Sequence, residues 1–200
     1  FRLHEIVMEF ISNTGIFFYP LLFCSILLIY ISIERSLALR DSVILPDTFM
    51  ASLLSGTLID TDFGNESLAG RLVGFFKTEH NLKDQKLLKA FVQLELSRLE
   101  RGLFILEIIT GIAPLIGLLG TVYGLTHVFG TFSVESGFSQ QGDFVSGIAL
   151  ALNTTILGLI VAIPSLTMHS FLQRRIDVIA GKLKLSIESL LINKSLSTNA

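Results

Sequence analysis

Three stretches of this chain, Gly15 to Ile33, Ile108 to Phe132 and Phe144 to Phe171, contain no Asp, Glu, Lys or Arg. Each is close to or above the roughly 20 apolar residues needed to cross a bilayer, and longer than most buried core helices. In lipid every backbone polar group must be satisfied within the protein, which leaves helices or a closed barrel. Continuous apolar runs lack the alternation of barrel strands, so the three stretches are expected to be transmembrane helices.

Composition agrees. Half of the 200 residues are hydrophobic and only 16% are charged, where a soluble domain carries about 25%. The mean hydropathy is +0.67. A net charge of −2 without a basic patch argues against nucleic acid as a partner. The single cysteine, Cys24, sits in the first apolar run and can form neither an internal disulfide nor a metal cluster, so no metal site is expected.

The remaining charge sets an orientation. Of the 15 Lys and Arg residues, all but Arg2 fall between Arg35 and Arg101 or between Arg174 and Lys194. By the positive-inside rule these segments face the cytoplasm, and the N-terminus and the connection at 133–143 face outward. The first run lacks a small-residue cleavage site and begins at residue 15, so it is expected to stay in the protein rather than act as a signal peptide. The expected organisation is an external segment at 1–14, spans at 15–33, 108–132 and 144–171, a cytoplasmic helical region at 34–107, and a cytoplasmic tail at 172–200.

Helical spacing marks the segments outside the spans. Pro46 and Asp47 start a short helix over 48–55, and Asn65 caps another reaching about Lys77. From Leu82 to Glu107, apolar residues at 87, 88, 91, 94 and 103 alternate with charges, which predicts an amphipathic helix running straight into the second span. Ile176, Ile179, Leu183, Ile187 and Leu190 share one face, so the third span is expected to continue as a cytoplasmic helix. The fold class is therefore all-α, with two of the spans extended into a cytoplasmic helical bundle.

Inside the membrane the second span concentrates Gly111, Ala113, Pro114, Gly117, Gly120, Thr121 and Gly124, and the third carries Gly147, Asn153, Thr154, Thr155, Gly158, Pro164 and Ser165. Small residues let helices approach closely in lipid, so Gly117, Gly120, Gly124, Gly147, Gly158, Pro114 and Pro164 are read as packing residues. The cluster Asn153-Thr154-Thr155 is costly at mid-depth unless it pairs with a neighbour or lines a wet path. Both outcomes satisfy that argument. With no carboxylate in any span, ion relay would need one from a partner. Catalysis is not expected, because Ser146 and Ser165 have no histidine or carboxylate at a recognisable spacing.

The run Ala113-Pro114-Leu115-Ile116-Gly117-Leu118-Leu119-Gly120-Thr121-Val122-Tyr123-Gly124 resembles the second-span signature of the ExbB/TolQ/MotA family of ion-driven motor subunits. The run from Gly147 through Ala151-Leu152-Asn153-Thr154-Thr155 and Gly158 to Pro164 resembles the family's third span. The resemblance implies a pentamer in the bacterial inner membrane whose second and third helices line a pore. Thr121 and Thr155 match the family's pore threonines, with Thr154 and Asn153 beside them. It also implies an ExbD/TolR/MotB-like single-span partner with a membrane Asp, proton or sodium as the transported ion, no other cofactor, and a TonB- or TolA-like protein as recipient of the work. Import, envelope maintenance and motility all remain open as outlets. Many relatives carry a Glu where this chain has Leu150, which leaves room for a sodium-driven variant. The alternative is a passive oligomeric scaffold in contact with lipid.

Overall fold

The computed structural model describes residues 15–39, 68–77, 85–131 and 141–198. Among them every regular element is helical. A single 3-10 turn, Gly15–Phe17, leads into α1, Phe18–Ala38; α2 is Leu68–Lys77, α3 Gln85–Glu100, α4 Leu103–Thr131 and α5 Gln141–Thr198. Gly15 opens the first turn with a φ of 62°, a left-handed conformation that costs glycine little. Three helical stretches, Gly15–Ala38, Leu103–Gly130 and Gly147–Ser189, are long and apolar enough to cross a membrane. The protein is an all-α membrane protein.

The chain divides into two compact units, one of Phe1–Ser32 with Phe104–His169 and the other of Ile33–Leu103 with Ser170–Ala200. In the first unit the buried positions of α4 are Leu106, Ile109, Ala113, Gly117, Gly120, Gly124 and Val128, three or four residues apart as a helical face requires. Large apolar side chains cover the other faces: Leu115, Leu118, Leu119 and Val122 on α4 and Leu152, Ile160 and Ile163 on α5 are exposed. A protein surrounded by hydrocarbon has no reason to hide them. The Phe17 and Tyr123 rings meet edge to face with centroids 5.5 Å apart, tying the start of α1 to α4.

The second unit is built as water-facing proteins are. Leu68, Leu72 and Val73 of α2, Leu88, Val92 and Leu96 of α3, and Leu172, Ile176, Ile179, Leu183 and Ile187 of α5 are buried. Each contributes about 1.5–3 kcal/mol relative to an exposed side chain. Phe75 stacks on Phe91 at a centroid distance of 4.1 Å. Among the described residues a carboxylate enters this core. Glu95, fully buried, accepts 2.7 Å hydrogen bonds from Arg71 Nε and Arg98 Nη1 on its two oxygens. A buried carboxylate is tolerable only when paired in this way, and the pairing joins α2 to α3.

One sequence expectation needs correction. The amphipathic helix does not run straight into the second span: α3 ends at Glu100, Arg101 and Gly102 form a turn, and α4 begins at Leu103. Gly102 is buried beneath the Arg35 side chain, and a Cβ at that position would overlap Arg35 Nε. Within 85–100, Leu88 is buried and Phe91 half-buried, while Leu87 and Leu94 are exposed. The expected extension of the third apolar stretch is present as the uninterrupted α5. On its inward face Ile176, Ile179, Leu183 and Ile187 are buried; the side chain of Leu190 lies outside the described residues, as do the expected helix at 48–55 and the cap at Asn65.

Candidate functional site

The candidate site is the contact between α4 and α5 within the first unit. Its geometry follows from glycine placement. A Cβ on Gly158 would stand 2.6 Å from the carbonyl oxygen of Ala113, and one on Gly117 would stand 3.0 Å from the Thr154 carbonyl oxygen and 3.1 Å from Thr155 Cα. These are backbone atoms, which cannot swing aside. A Cβ on Gly120 would lie 2.5 Å from Thr154 Oγ1 and 2.6 Å from its Cβ, and one on Gly124 would meet the Ala151 Cβ at 3.2 Å. A Cβ on Gly147 would overlap the Val128 side chain. The two backbones therefore touch along several turns, through small residues of a single chain.

Hydroxyl groups occupy the same seam. Ser165 Oγ donates to the Leu106 carbonyl over 2.9 Å and is fully buried. Thr155 Oγ1 donates to the Gly117 carbonyl over 3.3 Å. In α-helical geometry that carbonyl is also the acceptor for the backbone N–H of Thr121. Thr121 Oγ1 in turn donates to Leu118 O within its own helix over 2.7 Å. Thr155 and Thr121 are thus half-buried residues at one level of the helix pair, each with hydroxyl lone pairs still able to accept.

The other expected site residues part company with these two. Thr154 is fully buried, donates to Ala151 O over 2.8 Å and fills the space that Gly120 leaves. Its side chain is therefore held inside the contact between α4 and α5 rather than on the surface of the pair. Asn153 is half-buried on another face of α5. Of the expected packing residues, Gly117, Gly120, Gly124 and Gly158 are buried in the contact, Gly147 faces Val128, and Pro114 is half-buried. Pro164 is exposed, and the buried residue there is its neighbour Ser165. Ser165 is a packing residue beyond those expected, and its position seven residues after Gly158, on the same helical face, is the signal that marks it. Among the described residues no group of three or more His, Cys, Asp or Glu side chains is arranged to hold a metal.

The model of the MotA/TolQ/ExbB proton channel family matches residues 60–184, which include α2 through most of α5. The chain belongs to this family. It is 39% identical over 100 residues to the biopolymer transport protein ExbB of Helicobacter pylori, covering 49% of this chain and 68% of that protein. It is 42% identical over 88 residues to the ExbB of Aquifex aeolicus, covering 44% of this chain and 58% of the relative. A Synechocystis protein named ExbB-like 1 is 31% identical over 176 residues, covering 82% of this chain and 69% of the relative. Within the MotA/TolQ/ExbB frame, the glycine contact and the threonine pair both lie inside the matched residues.

Proposed function

We propose that this chain is an ExbB-like subunit of an inner-membrane complex that couples the flow of protons or sodium ions to transport work across the cell envelope. The observation that carries this reading is the level of the helix pair where Thr155 reaches Gly117 beside Thr121. These hydroxyls offer acceptors to water or a partly dehydrated ion within the apolar stretches 108–132 and 144–171, which hold no carboxylate of their own. The acid is supplied by a single-span partner of the ExbD/TolR kind with a membrane Asp, and a TonB- or TolA-like protein receives the work. The electrical part of the gradient is worth roughly 2.3 kcal/mol per elementary charge per 100 mV. Several ions per cycle therefore drive a substantial rearrangement.

The subunit acts as a homo-oligomer, a pentamer by resemblance, with its N-terminus outside and its C-terminus in the cytoplasm. A stripe on α5 supports self-association: Phe171, Val178, Leu185 and Ile192 recur every seven residues and are all exposed, although Arg174, Arg175 and Asp177 mark this stretch as facing water. A seven-residue apolar repeat supplies one of the two heptad positions through which helices pair. The test is co-purification from native membranes with a small one-span protein bearing a membrane Asp, followed by reconstitution and measurement of gradient-driven ion flux. An isolated chain with no such partner and no flux favours the second reading, a passive scaffold. That reading draws on the glycine contact, which packing alone accounts for.

A further inference from the structure

The second unit carries a groove of about 310 Å³ between α3 and α5. It is lined by Lys89, Val92 and Gln93 of α3 and by Lys184, Ile187 and Glu188 of α5. The two helices present the same pattern: a lysine, an aliphatic residue three positions on, and a polar residue at the fourth. Val92 and Ile187 are each only 4% exposed and form an apolar floor, while the other four residues are exposed at its rim. Among the described residues Lys89, Lys184 and Glu188 take part in no ion pair. Two ammonium groups and one carboxylate give the rim an excess positive charge that no ion pair among the described residues neutralises.

We propose that this groove receives an acidic amphipathic helix from another protein, with one aliphatic side chain on Val92 and Ile187 and carboxylates against Lys89 and Lys184. The apolar floor selects an amphipathic occupant, and the uncompensated lysines select an acidic one. A groove with a helix on either side suits a third helix laid along it. Glu188 and Gln93 stand four residues after each lysine and accept or donate to the occupant's polar groups, which fixes its direction. The inference does not depend on ion coupling.

The full chain is reconstituted in phosphatidylcholine nanodiscs and titrated with a fluorescein-labelled peptide of Glu and Leu at helical spacing, read by anisotropy. Saturable binding to loaded discs beyond that to empty discs is expected. Lys184→Glu should weaken it about tenfold, Lys89→Glu with Lys184→Glu further still, and Arg174→Glu, the same charge change outside the groove, by less than about twofold. Both lysines are exposed, so an unchanged thermal transition shows that the variants fold. Equal binding by the double variant, equal binding of a Lys-for-Glu peptide, or no binding beyond empty discs would overturn the proposal. So would loss of peptide binding on adding phosphatidylglycerol in a way that requires Lys184, because the groove would then hold a lipid headgroup.

Discussion

Thr155 donates its hydroxyl across the helix pair to the carbonyl oxygen of Gly117, 3.3 Å away, on the turn that leads to Thr121. The bond exists because Gly117 and Gly158 bring the two backbones together, so the polar pair depends on the glycine contact beneath it. Removing the hydroxyl is expected to cost little in folding, since hydrogen bonds between membrane helices average about 0.6 kcal/mol. Thr155→Val and Thr121→Val should therefore assemble with the partner and yet fail in gradient-driven flux. Full flux in both variants would mean that the hydroxyls serve packing.

Gly158→Ala should lower the thermal transition of the purified chain more than Gly111→Ala. The new methyl group meets the Ala113 carbonyl oxygen at 2.6 Å in the first case and nothing within 4 Å in the second. Overpacking of this kind costs about 1–3 kcal/mol. Thermal melting in detergent distinguishes the two. Equal transitions would place the helices further apart than the structure does.

Glu95→Ala should destabilise the second unit by about 1–3 kcal/mol, since it removes the acceptor of two charge-assisted bonds. The loss stays below that of a fully buried pair because the Arg71 and Arg98 side chains are 30% and 46% exposed and can be solvated. Urea denaturation is the measurement, with Arg98→Ala expected to cost less than Arg71→Ala because its bond spans only one turn of α3. A neutral Glu95→Ala would mean that the arginines find water at no cost.

Orientation is open to direct labelling. In a chain with Cys24 replaced by Ser, a cysteine at Glu135 should react with an impermeant maleimide from outside, and one at Asp60 or Lys182 only after the membrane is opened. The reverse pattern would overturn the charge-based topology.

The apolar stretches and the helical class were legible in the sequence because lipid imposes a length and a composition that few soluble helices share. The inward face of α5 from Ile176 to Ile187 was legible for a different reason, the regular helical period of its apolar residues. What periodicity could not reveal was which partner each face meets. The glycines of α4 read equally well as a surface between subunits, and only the structure puts Thr154 against Gly120 of the same chain. The break at Gly102 depends on Arg35, far away in sequence, and the pairing of Glu95 with Arg71 likewise joins residues that no local pattern relates.

The touching backbones of α4 and α5 restrict how this pair can move. Rotating α5 about its own axis would drive Thr154 out of the notch at Gly120 and into the neighbouring backbone, and sliding it lengthwise would press the Ala113 carbonyl against side chains that lack Gly158's clearance. Neither helix can yield alone. Load placed on one is shared by the other, and the two answer it as a single stiff stave, turning or tilting together.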